Sequence, residues 1–143
     1  MKMLALLGFA LAAVAAGRLA AHRWVAVTVR GDSMCPALTD GDRVLLRRTP
    51  VHRLAVGDIV VVRLPGMPRV VGPRDRPWLI KRVAALPGDP VPSAVAPAVD
   101  GAAHVPPNRL VLLSDNPVGA IDSRQFGYLT PDLVLGRVVR RLA

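Results

Sequence analysis

Trp78-Leu79-Ile80-Lys81-Arg82-Val83-Ala84-Ala85, followed by Leu86-Pro87-Gly88-Asp89, is an apolar run of strand length closed by a tight turn. Runs of the same kind recur along the chain: Val25–Arg30, Arg43–Arg47, Asp58–Leu64, Arg109–Leu113 and Leu133–Arg140. Gly41-Asp42 and Gly57-Asp58 mark turns before two of them. Six or more short strands with no convincing amphipathic helix predict a mainly β domain, a folded-over barrel in its simplest form. Pro65–Pro77 and Pro87–Pro107 read as loops, the second with room for one weak strand.

The bulk composition agrees. A chain of 143 residues is long enough for one domain with a core of its own. Hydrophobic residues make up 52% and aromatics only 3%, so valine, leucine and alanine must fill the interior. Fourteen prolines and twelve glycines argue against a helical bundle. The net charge of +9 suits an anionic membrane surface or an acidic partner. It does not suit nucleic acid here, because the few aromatics are scattered and no DNA-binding pattern occurs. The single cysteine, Cys35, excludes an intrachain disulfide, and His22, His52 and His104 lack the spacing of metal ligands.

The amino-terminal end is different in kind. Met3–Gly17 is uninterrupted apolar sequence, and Leu19-Ala20-Ala21 extends it past Arg18. Fifteen helical residues span about 22 Å, short of the roughly 30 Å hydrocarbon core, and the extension makes up most of the difference if Arg18 snorkels. Residues 1–23 are thus expected to form a membrane anchor, with residues 24–143 as a separate β domain. A cleaved signal peptide ending at Ala13-Val14-Ala15 is the competing reading. Lys2 favours a cytoplasmic amino terminus, while Arg18 and Arg23 pull the other way.

Lys81 carries a chemical signal. The chain has two lysines, Lys2 and Lys81, against seventeen arginines. A lysine held among apolar groups can be driven to the neutral amine, whereas arginine cannot give up its proton. Upstream, Gly31-Asp32-Ser33-Met34-Cys35-Pro36-Ala37-Leu38 follows the first strand and can expose Ser33 at a turn. A Ser-His-Asp hydrolase would need a second glycine where Cys35 stands, and histidines better placed than His52 and His104. Cys35 itself has no evident partner base. Downstream lie Ser114-Asp115-Asn116 and Asp122-Ser123-Arg124, in which Asp122 and Arg124 can pair to brace a loop.

Together these three segments resemble the type I signal peptidases, membrane-bound serine–lysine proteases. Gly31–Leu38 resembles that family's nucleophile motif, Lys81–Val83 with Pro87-Gly88-Asp89 its lysine motif, and Ser114–Asn116 with Asp122–Arg124 and Gly127 its last motif. The resemblance implies Ser33 as nucleophile and Lys81 as general base, with no metal or cofactor. It implies that Gly31, Asp32, Met34 and Pro36 line the site, with the Ser33 N–H serving the oxyanion. Asp115, Asn116, Asp122, Ser123 and Arg124 would support it. The implied substrate is a precursor protein or leader peptide cut after small residues, at Ala-x-Ala sites. The implied setting is a single-pass protein in contact with membrane lipid, its catalytic unit monomeric and extracytoplasmic.

Three departures from the family pattern stand out. Ala120 occupies the place of a serine that bonds the lysine in many relatives, so another hydroxyl or a water is expected to orient Lys81. Ser114 replaces a glycine, and Ala37 a threonine. Narrower or different readings are a maturation protease dedicated to one precursor, and a non-catalytic peptide-binding relative. A self-cleaving repressor would need a DNA-binding domain where this chain has its apolar segment.

Overall fold

The computed structural model describes residues 23–64 and 78–142. The expected anchor, apart from residue 23, and the Pro65–Pro77 loop lie outside the described residues. Among the described residues no helix is long and apolar enough to cross a membrane.

The protein is mainly β. Six strands, β1 (Trp24–Thr28), β2 (Arg43–Arg47), β3 (Ile59–Arg63), β4 (Trp78–Ala85), β5 (Val111–Leu113) and β6 (Val134–Leu142), form one antiparallel sheet in the order β1-β2-β6-β3-β4-β5. The only α-helical turn among the described residues is α1 (Ser123–Phe126). Among the described residues the sheet is open rather than a closed barrel, since β1 and β5 each have one strand neighbour there. It nonetheless coils, because Val25–Val29 around β1 and Trp78–Ile80 of β4 line the same cleft although three strands separate β1 from β4 in the sheet.

Alternation along β3 explains the coiling. Val60 and Val62 pack into one core with Leu54, Val83, Leu110, Leu112 and Leu129. Val61, between them, packs into a second core with Val29, Met34, Leu38, Val44, Leu46 and Ile80. A central strand that buries both faces must read as a continuous branched run, and Ile59-Val60-Val61-Val62 does. At the β2–β6 crossing a Cβ on Gly136 would lie 2.5 Å from the Arg47 carbonyl oxygen, so only glycine allows that approach.

The Pro87–Pro107 segment forms no strand. It makes a 3-10 turn at Ala96–Val99 and a single bridge from Pro90 to His104. It buries Val95 and Val105 against Ala85 and Val111 as a third, smaller core. Its apolar residues are too irregularly spaced for a strand, but they suffice to cover one end of β4 and β5.

Candidate active site

Ser33 sits in a loop built from backbone bonds. Gly31 adopts a positive φ of 78°, and its N–H donates to Asp40 Oδ1 at 2.7 Å. Cys35 N–H then donates to the Asp32 carbonyl at 3.0 Å, and Leu38 N–H to the Met34 carbonyl at 2.9 Å. Met34, 1% exposed, nails the loop into the second core, while Gly31, Asp32 and Pro36 stay exposed. Ser33 and Met34 line a cleft of about 600 Å³ whose other walls are Val25–Arg30 and Trp78–Ile80. Gly31, Asp32 and Pro36 are not among its lining residues. Neither His52 nor His104 lines it. Cys35 is no better as a nucleophile, because desolvation and the neighbouring Asp32 push its thiol pKa up.

Lys81 is held quite differently. It is 2% exposed, on a strand flanked by β3 and β5, directly across from Val60. In the β4–β5 register Arg82 faces Leu113, so the next antiparallel step sets Ser114 beside Lys81. Lys81 Nζ donates to Ser114 Oγ at 2.8 Å, and both residues are buried. Among the described residues this hydroxyl is the hydrogen-bond partner of the amine. An ammonium would bring three donors to one neutral acceptor in an apolar setting, whereas an amine brings two and a lone pair. Burial therefore drives the Lys81 pKa below its ordinary value; the Asp122 charge opposes this, and the Arg124 charge adds to it.

The supporting residues form a connected network around the end of β5. Asp122 is fully buried, and its carboxylate accepts from Ser114 N–H at 2.8 Å, from Arg124 N–H at 3.1 Å and from the Arg124 guanidinium. Burial alone would raise the Asp122 pKa, but these hydrogen bonds overcome it and the net direction is down. Ser123 Oγ accepts from Leu112 N–H at 2.9 Å. Asp122 and Ser123 thus satisfy two N–H groups on the outer edge of β5, positions 112 and 114, which would otherwise be orphaned. Asp122 also caps α1, reciprocated by Gln125. The ion pair expected from the sequence exists, but it is not a solvated one.

Asp115 pairs with Arg82 through two bonds of 2.7 and 2.6 Å, while Arg82 also donates to the Gly57 carbonyl. Asn116 joins the two halves of the site. Its N–H donates to the Ser33 carbonyl at 2.9 Å and its side-chain amide to the Asp32 carbonyl at 3.2 Å. The resemblance implies that the Ser33 hydroxyl and the Lys81 amine act as a pair. Among the described residues no hydrogen bond joins the two side chains, and Lys81 is not a cleft-lining residue. The connection runs from the Ser33 carbonyl through Asn116 to Ser114, two residues earlier, and so to the amine. Such bonds are often loose before substrate arrives.

From the sequence Ser114 stands out only as a replacement for glycine in the last motif, not among the residues expected to support the site. Its signal was positional: it follows an apolar strand that can pair with the lysine strand, but nothing in the sequence sets the register.

Residues 1–96 match the family described as signal peptidase, peptidase S26. That span includes Ser33 and Lys81 and ends before Ser114. The chain is 29% identical over 137 residues to the probable signal peptidase I-1 of Synechocystis, covering 79% of this chain and 68% of the relative. It is 31% identical over 120 residues to the mitochondrial ATP-independent inner membrane protease subunit 1a of Arabidopsis thaliana, covering 80% and 67%. It is 31% identical over 122 residues to the mitochondrial inner membrane protease subunit 1 of Xenopus tropicalis, covering 81% and 67%.

Proposed function

The chain belongs to the peptidase S26 signal peptidase family, and on that premise we propose that it is a membrane-anchored serine endopeptidase using Ser33 as nucleophile and Lys81 as general base. It removes signal or leader peptides from exported precursors, after small residues. The single observation that carries this reading is the buried Lys81 amine, bonded to a neutral hydroxyl and not to a carboxylate. A structural lysine would be expected to keep its charge and a counter-ion; a base must be able to lose its proton near neutral pH.

The chemistry follows from the residues. An extended precursor segment lies in the cleft and pairs with the edge of β1 that has no strand neighbour among the described residues. The neutral Lys81 amine takes the Ser33 proton as Ser33 Oγ bonds to the substrate carbonyl carbon. The carbonyl oxygen becomes an oxyanion and accepts from the Ser33 N–H, which has no hydrogen-bond partner among the described residues. Lys81 passes its proton to the leaving nitrogen as the C–N bond breaks, leaving an acyl-serine. A water then gives a proton to Lys81 and attacks the ester; Lys81 returns that proton to Ser33 Oγ as the acid departs. Trp78, Ile80 and Met34 give the cleft apolar side chains among its polar lining, and the small residues beside the cut lie against them.

Residues 1–23 hold the enzyme in the membrane, and residues 24–143 act on its extracytoplasmic side, where precursor leaders emerge. The test is direct. Full-length protein in detergent is incubated with an Ala-x-Ala precursor peptide and with an acylating serine inhibitor. Cleavage after the alanine and a covalent adduct on Ser33, both lost in Ser33→Ala, are expected. Unchanged cleavage by Lys81→Arg, whose side chain cannot accept the proton, overturns the assignment of the base.

A further inference from the structure

We propose that Ser114 is the positioning residue of the Lys81 amine, and that the buried Asp122–Arg124 pair is the brace that holds Ser114 in place. This rests on the reading of Lys81 as the base. Position 120 is alanine and offers no hydroxyl. The hydroxyl that reaches the amine comes instead from the end of β5, at 2.8 Å.

The geometry supports a positioning role over an incidental contact. A lysine side chain has four rotatable bonds, so burial alone does not aim its lone pair. One N–H bond to a fixed acceptor does. Ser114 is fixed from both sides. It comes one residue after Leu113, the register partner of Arg82, which brings it next to Lys81, and its N–H donates to Asp122 Oδ2 at 2.8 Å. Asp122 in turn spends its remaining acceptor sites on Arg124. The arrangement also controls charge. A bare carboxylate beside Lys81 would hold the amine protonated, but the Arg124 guanidinium offsets Asp122, and a neutral hydroxyl is what meets the amine. The same chain positions the nucleophile loop, because Asn116 N–H, two residues on, donates to the Ser33 carbonyl.

The chain's two lysines make the experiment clean. Full-length protein carrying isotope-labelled lysine gives two side-chain signals, Lys2 and Lys81, assigned with Lys2→Arg. Their titration is followed by NMR in the wild type and in Ser114→Ala, alongside the pH dependence of kcat and KM. Removing the hydroxyl takes away the hydrogen-bond partner that the ammonium form has among the described residues. The Lys81 titration is therefore expected to move to lower pH, and the acid limb of kcat/KM with it. The lost aim is expected to lower kcat about a hundredfold with KM nearly unchanged. An unmoved Lys81 titration, or an unmoved limb with wild-type kcat, overturns the proposal. The NMR readout needs no turnover, so it decides on Ser114 even if Lys81→Arg shows that Lys81 is not the base.

Discussion

The loop that carries Ser33 and the strand that carries Lys81 are stabilised by opposite means. The loop is largely exposed and kept in shape by single hydrogen bonds, such as those of Gly31 to Asp40 and Asn116 to Ser33, each worth about 1 kcal/mol. Lys81, the proposed base, is dry and is held through a buried ionic network one step removed. The proposed nucleophile has to be reached by a protein substrate, so its loop is anchored in the core only through Met34 and Leu38 and otherwise rests on backbone and turn hydrogen bonds. A lysine base has to be kept from water, and this burial commits the molecule to a fully satisfied polar network around it.

The contrast is sharpest if each side is broken in turn. Ser33→Ala removes the nucleophile and nothing else; peptide cleavage is expected to fall about ten-thousandfold or more, with the thermal midpoint unmoved. Asp122→Asn attacks the other side. It leaves Arg124 and the edge of β5 without their carboxylate, and urea unfolding is expected to show a loss of about 3–5 kcal/mol together with lost activity. A Ser33→Ala protein that melts early, or an Asp122→Asn protein of wild-type stability, would abolish the distinction.

Lys81→Met sharpens it further, by conserving volume while removing the buried amine. Because the folded pKa of Lys81 is lowered from 10.5, the unfolded chain binds the extra proton between the two values, and wild-type stability rises with pH through that window. The methionine variant lacks this term. It is expected to be inactive yet more stable than wild type below the lowered pKa, with the advantage disappearing above pH 10.5, as measured by urea unfolding at several pH values. The smallest effect belongs to the exposed side. Asn116→Ala loses two exposed side-chain bonds, one donated to the Asp32 carbonyl and one accepted from Val118 N–H, together about 1 kcal/mol, and is expected to alter KM more than melting.

Much of this was legible in the chain. Arg43–Arg47 and Trp78–Ala85 are strands with the ends that the sequence suggests, because branched apolar runs between turn residues leave the backbone few other options. The ends of β5 and β6 are less legible. Pro131–Leu133 turns before β6 begins, and Arg109 and Leu110 precede β5, Leu110 joined to Leu129 by a lone bridge. The segment from Pro87 to Pro107 gave no periodic signal, since it packs through isolated valines. Asp122 and Arg124 were visible as a pair, but not as a buried one.

Local sequence settled which residues are chemically special: one lysine in an apolar strand, one serine after a glycine at a turn, one acidic–basic pair two residues apart. These are properties of residue type and near neighbours. The hydroxyl that meets the lysine was decided elsewhere, by the antiparallel register of β4 on β5, thirty-three residues apart. A slip of one residue would send Ser114 to the opposite face of the sheet, and that register is fixed only when Val83 and Leu112 pack together in a shared core.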